Sequence, residues 1–171
     1  MKKNIKKITP ASFDDIKIIG INSSLIDFKL AWNINNKLSI NFVRYTDIME
    51  DGAQYAFYYY DTGETGNTFN LVSLVYKGKY WQVTSPRIDF MLIVRNNITQ
   101  IKLNEMLKSI REIAGVSYAF IMDPQSDNSI GILLETIELH EIDMLEEMRK
   151  RNNINAVKEE MRQKALNQSL Q

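Results

Sequence analysis

Cysteine is missing from this chain altogether. That absence removes disulfides, thiolate metal sites, iron–sulfur clusters and cysteine nucleophiles together. Histidine occurs once, at His140, so neither a His-Glu-x-x-His zinc motif nor a histidine facial set can be assembled. An excess of one charge is also lacking: 21 basic side chains face 21 acidic ones, for a net charge of zero. Dedicated nucleic-acid binders carry a basic excess, because neutralised phosphates supply most of their affinity. The nearest approach here is Lys2, Lys3, Lys6 and Lys7, with Lys77, Lys79, Arg87 and Arg95, which reads as an ordinary surface with a basic end. No apolar run approaches the ~20 residues of a membrane span. The opening MKKNIKKITP has no apolar stretch behind its lysines, so it reads as a solvated, frayed end and not as a signal peptide. The Asn-x-Ser/Thr triplets at Asn22, Asn97 and Asn167 carry no weight without a secretion route. These absences predict a cytoplasmic protein with no cofactor, no metal and no membrane partner.

What is present is enough for one ordinary core: 171 residues, 44% of them hydrophobic and 25% charged. The run DIKIIGI (15–21) reads as a short strand. Ser24, with Asp27 three residues on, is a loose capping box for a helix over 25–38. On that helix Phe28, Leu30, Ala31, Trp32, Ile34 and Leu38 supply a broad apolar side, and Lys29, Asn33, Asn36 and Lys37 the opposite one. Asp27 and Asn35 project into the apolar side, where a carboxylate needs a partner. SINFVRY (39–45) alternates like a strand, 47–52 is an acidic connection, and aromatic strands follow over 55–60 and 69–76. Lys77-Gly78-Lys79 is a tight reversal into a strand over 80–83, Pro86 interrupts, and IDFMLIV (88–94) reads as a central strand. Thr99 caps a helix whose core positions are Leu103, Met106, Leu107, Ile110 and Ile113, Gly115 ends it, and 116–122 is a strand.

Strand–helix–strand thus occurs at both ends of a β-meander. This predicts an α+β fold, a mostly antiparallel sheet with two helices on one face, partly ferredoxin-like, plus a C-terminal helical extension. The segments are a flexible basic N-terminus (1–12), an α+β domain (13–125) and the extension (126–171). The extension has helix formers, no proline, and i,i+4 pairs at Glu146–Lys150, Glu147–Arg151 and Glu160–Lys164. Ile142, Leu145 and Met148 form one apolar stripe and Ile154, Val157 and Met161 another, out of phase across Arg151-Asn152-Asn153. One kinked helix or two shorter ones are expected, docked on the domain or on a partner, with a homodimer through this segment as one outcome.

Ile18-Ile19-Gly20-Ile21, Ser23-Ser24-Leu25, Asp27-Phe28, Leu30-Ala31, the aromatic strands, Ile88-Asp89-Phe90, Gly115-Val116 and Met122-Asp123-Pro124 come in a familiar order. Over residues 13–134 the chain resembles the IPExxxVDY family of small bacterial proteins. Ile88-Asp89-Phe90 stands for Val-Asp-Tyr, while Gln82-Val83-Thr84 stands where Ile-Pro-Glu falls in the family, and Pro86 lies in the spacer. The resemblance implies a cytoplasmic protein of Bacteroidetes-type bacteria and supplies no catalytic or cofactor residue.

Candidates for chemistry are few. Asp61-Thr62-Gly63 spells the aspartic-protease triplet, but that chemistry needs two such aspartates sharing a proton. A single copy followed by Glu64-Thr65-Gly66-Asn67 reads as a hairpin connection. The same glycines form neither a P-loop nor a dinucleotide fingerprint. In YAFYYY (55–60) Tyr58 and Tyr60 share a face, and with Tyr76 or Tyr80 they are the residues available to stack on RNA bases. Tyrosine is equally a preferred strand residue, and packing is the favoured reading. Asp27 and Asp89 sit in apolar surroundings, so they are the acids to watch for acid–base work, with Arg44 and Arg95 as available partners. With no catalytic set, the leading expectation is an interaction protein binding another macromolecule, most simply a protein. It would use the aromatic sheet face (Tyr58, Tyr60, Tyr76) or the C-terminal stripes. Association with RNA or the ribosome, and an enzyme using a buried aspartate, are the alternatives.

Overall fold

Apolar residues alternate or run continuously through the first 125 residues, and six of the resulting strands join in one sheet. The computed structural model describes residues 15–63, 66–96, 98–125 and 128–169, the last segment without the side chains of 128, 160 and 163–169. The expected basic N-terminus (1–12), the loop residues 126–127 and the Glu64-Thr65 pair lie outside the described residues. The elements are β1 (Ile16–Ser23), α1 (Asp27–Leu38), β2 (Val43–Arg44), β3 (Ile48–Glu50), β4 (Ala53–Tyr55), β5 (Phe57–Asp61), β6 (Thr68–Ser73), β7 (Val75–Tyr76), β8 (Lys79–Tyr80), β9 (Phe90–Arg95), α2 (Gln100–Arg111), β10 (Val116–Met122) and α3 (Asn128–Ser169).

The six-stranded sheet has the order β10-β1-β9-β6-β5-β2, with every neighbouring pair antiparallel. The apolar run over 88–94 becomes β9, which is paired on both sides as its composition predicts. Strands β9 and β10 run the same way with β1 inserted between them, and α2 is the crossover. This is a split strand–helix–strand unit of the ferredoxin-like kind. Both α1 and α2 lie on one face, where Leu30, Ala31 and Ile34 meet Leu103, Met106 and Ile110 over Ile19, Ile21, Leu71, Leu92 and Val94. The α+β architecture is therefore as the pattern predicts.

Several local expectations need correction, among them the strand over 80–83, which is reduced to Lys79–Tyr80. Helix α1 is capped at Ile26, whose side chain makes no capping bond, and not at Ser24. Its apolar side is narrower than predicted: Leu30 and Ile34 are buried, but Phe28 and Trp32 are 55% and 66% exposed. At 100° per residue those two lie more than a right angle from the centre of the buried stripe. The expected strand over 39–45 shrinks to Val43–Arg44. Asn35 explains the loss, since its side-chain oxygen accepts from Phe42 N–H at 2.8 Å and its amide donates to the Phe42 carbonyl at 3.3 Å. The backbone groups that would pair with a neighbouring strand are already satisfied. Lastly, the acidic connection over 47–52 is the first strand and turn of the β3–β4 hairpin, with Asp51 and Gly52 at positive φ.

The reversal at Lys77-Gly78 is the predicted hairpin turn, with φ of 48° and 80°. Thr99 caps α2 by accepting from Lys102 N–H at 3.3 Å. Gly115 follows α2 at φ 97°, and a Cβ there would lie 2.8 Å from Leu25. The chain divides into two units, 1–131 and 132–171. Within the second, α3 is uninterrupted through Arg151-Asn152-Asn153, so of the two expected outcomes, one helix or two shorter ones, it is one helix. Its pairs Glu147–Arg151 at 3.3 Å and Glu146–Lys150 at 3.9 Å form as predicted, while the side chains of Glu160 and Lys164 lie outside the described residues.

Candidate functional site

The first turn of α1 places an acid where the helix dipole favours one, and Asp27 occupies it. From β2, Arg44 reaches Asp27 at 2.8 Å and also Asp47, at 2.9 and 3.0 Å to its two oxygens. Tyr58 of β5 donates its hydroxyl to the same Asp27 oxygen at 3.1 Å. The result is a cluster that ties the start of α1 to β2 and β5. Hydrogen bonding to Asp47 raises the Arg44 guanidinium above its already high value. Burial, reinforced by the Asp27 carboxylate, pushes the Tyr58 phenol up to about 12.

Asp89 is held differently. One oxygen accepts from Asn22 Nδ2 at 2.8 Å and Ser23 N–H at 2.9 Å, and the other from the Tyr80 hydroxyl at 2.7 Å. Arg87 donates to that hydroxyl in turn and lies over the Tyr80 ring. Burial and the bond to Asp89 both raise the Tyr80 phenol. Arg95, the other expected cation, donates to Asn70 instead.

These two acids, separate in sequence, line one cleft of about 230 Å³ with Ser23, Leu25, Ser73 and Phe90. Its polar side chains are all engaged within the protein. Ser23 Oγ donates to the Gly115 carbonyl at 2.9 Å and accepts from Leu25 N–H at 3.1 Å. Ser73 Oγ donates to the Val75 carbonyl at 2.9 Å. Each carboxylate has fixed donors. An acid–base pair needs a group aimed at a reactant, whereas Asp27 is bonded to Arg44 and Tyr58, and Asp89 to Asn22, Ser23 and Tyr80.

A larger cleft of about 520 Å³ runs between the end of α1, α2 and the β5–β6 connection. Tyr60 stands in its wall, half-buried, with its ring 5.8 Å from that of Phe69. Lys37, Lys102 and Glu105 bring both signs of charge to its rim, and Lys37 already faces Glu112 at 3.6 Å. The size suits a small ligand, but the charges do not converge on one.

The remaining sequence candidates fall as follows. Tyr58 is buried beneath the helices and offers no ring for stacking, which removes the centre of the expected aromatic platform. Tyr76 is half-buried in the β7–β8 hairpin, under the ammonium of Lys77. Asp61 makes a turn: its Oδ1 accepts from Gly63 N–H at 2.8 Å, and Gly63 has φ 101°. Among the described residues no group of three metal-ligating side chains could hold an ion, and no helix is long and apolar enough to cross a membrane.

On α3, Leu145 and Met148 are half-buried, while Ile142, Ile154, Val157 and Met161 are exposed. Two residues that sequence reasoning passed over join the exposed set, Ile132 and Leu139. At 100° per residue, Ile132, Leu139, Ile154, Val157 and Met161 share one side of the helix, and Leu145 and Met148 do not. The signal was available, but a heptad frame hid it, because these positions follow the straight 3.6-residue period.

No family model, no curated protein and no solved structure matches this chain.

Proposed function

We propose that this is a non-enzymatic interaction protein, in which the exposed face of α3 docks an amphipathic helix carrying its own apolar stripe. One observation carries the reading. Five large apolar side chains, Ile132, Leu139, Ile154, Val157 and Met161, stand in solvent along a single side of a regular helix. Isolated exposed apolar residues are ordinary, whereas an aligned row is the anchor pattern of helix-to-helix recognition. The acids that motivated an enzymatic alternative are held by Arg44, Tyr58, Asn22 and Tyr80, and of the rings that motivated RNA stacking Tyr58 is buried while Tyr60 and Tyr76 are half-buried. A cytoplasmic setting and kinship with the IPExxxVDY family belong to the same proposal. Asp89 of Ile88-Asp89-Phe90, the part of the family pattern the chain retains, is held by Asn22, Ser23 and Tyr80, a role that needs no enzymatic activity.

The test is a photoreactive amino acid in place of Val157, irradiated in cells. A discrete protein adduct is expected there and not with the same group at exposed Lys29 on α1. No adduct at Val157 beyond that control would remove the reading.

A further inference from the structure

The exposed side of α3 has an internal symmetry that points to its occupant. Read along the helix, the positions are Ile132, Thr136, Leu139, Asp143, Glu146, Glu147, Lys150, Ile154, Val157 and Met161. About the midpoint between Glu146 and Glu147 two apolar positions on one side correspond to two on the other, and an acid corresponds to a base. Ile132 lies as far before that point as Met161 lies after it. Leu139 corresponds in this way to Ile154, Thr136 to Val157, and Asp143 to Lys150. The apolar members are between 49% and 66% exposed, and Asp143 and Lys150 are exposed too.

A two-fold axis through that midpoint lays one α3 antiparallel on another. Ile132 then meets Met161 and Leu139 meets Ile154 at both ends of the face, Thr136 lies against Val157, and each Asp143 meets a Lys150. The spacing of the row keeps close to 3.6 residues per turn, so it runs straight along the helix for roughly 43 Å at 1.5 Å per residue. A parallel pair would instead set Asp143 against Asp143 and Lys150 against Lys150. Burying like charges at two central layers disfavours that orientation, much as single polar core positions select register in coiled coils. The arrangement has one internal cost. Glu146 and Glu147 approach their own copies at the axis, each next to the cation four residues on, Lys150 and Arg151.

We infer that the occupant of this face is a second copy of the chain, joined through an antiparallel α3–α3 pair. The inference rests on the docking role proposed above and adds the identity of the partner. No bond is made or broken.

Sedimentation equilibrium of the full chain provides the first measurement, with a concentration-dependent dimer expected. Asp143→Lys alone and Lys150→Asp alone each create like-charge contacts and should weaken the dimer at least tenfold. The double variant Asp143→Lys/Lys150→Asp restores Asp–Lys pairing only in the antiparallel orientation, so recovery of the dimer is expected. Because the native chain has no cysteine, a cross-link supplies the second measurement. Leu139→Cys mixed with Ile154→Cys should form a disulfide dimer on oxidation, and Leu139→Cys alone should not, since in the antiparallel pair the two copies of residue 139 stand roughly 22 Å apart along the axis. Circular dichroism confirms that each variant keeps its helix, all the substituted positions being exposed. A monomer at every concentration, or a double variant no better than the single ones, overturns the inference. If the protein is monomeric yet the Val157 adduct in cells is a different protein, self-pairing falls and the docking role stands. If there is neither dimer nor adduct, both fall.

Discussion

Tyr58 shows how one buried hydroxyl can report on the whole cluster around α1. Its phenol is buried beside the Asp27 carboxylate, so ionising it would set two negative charges together in a poorly solvated place. The folded protein holds that proton to about pH 12, against 10.0 for an ordinary tyrosine. Between those values the unfolded chain has lost a proton that the native state keeps, so stability falls as pH rises. The contribution is complete below pH 10 and is lost on the way to pH 12, amounting to on the order of 2 kcal/mol. Urea midpoints taken below and within that window should fall more steeply for the wild type than for Tyr58→Phe, and equal slopes would refute the assignment. Gly115 makes a second case. Its φ is 97°, and a Cβ would press on Leu25 at 2.8 Å. Gly115→Ala is expected to cost about 1–3 kcal/mol in chemical denaturation. That Asp27 needs a cation was legible in the sequence, because a lone acid on an apolar helix face demands one, but which of Arg44 and Arg95 supplies it was not. Nor were the partners of Asp89. Ser23 is 66 residues away from it, and only the pairing of β1 with β9 brings the two together.

At the scale of elements, the two sheet-facing helices are capped unequally. Thr99 holds the first turn of α2 through its side chain, whereas Ile26 at the corresponding place on α1 holds nothing, though its φ of −73° and ψ of 157° suit a cap. Ile26→Ser should therefore stabilise the protein by about 0.5–1 kcal/mol, and Thr99→Ala should destabilise it by about 1 kcal/mol. Thermal unfolding of both variants checks the pair of signs. Loss of stability in Ile26→Ser would mean that the exposed isoleucine packs more than its position shows. Element identity was readable wherever the period was strong, as in β9 and α2. It failed at 39–45, where alternation predicts a strand but the Asn35 side chain has taken the Phe42 backbone.

Across the whole molecule, charge and burial argue together. A chain with no net charge lacks the basic excess that holds a phosphate backbone, and its central strand tyrosine, Tyr58, is covered. Filter binding to total RNA at low salt should therefore give negligible retention, and strong, salt-sensitive retention would contradict this. The long helix is the feature that charge composition leaves unexplained, and its exposed row is what makes association the better reading.

The sequence by itself determined the α+β class, the strongly periodic elements such as β9 and α2, the absence of thiol chemistry and the i,i+4 pairs of α3, because periodicity, composition and i,i+4 spacing are properties of neighbouring residues. Tertiary structure alone decided that Trp32 and Phe28 face solvent, that Tyr58 does not, and that Asp27 and Asp89 border the same cleft. Burial depends on which elements meet, and the sheet order that joins β1 to β9 and β10 is a long-range pairing that no local pattern encodes.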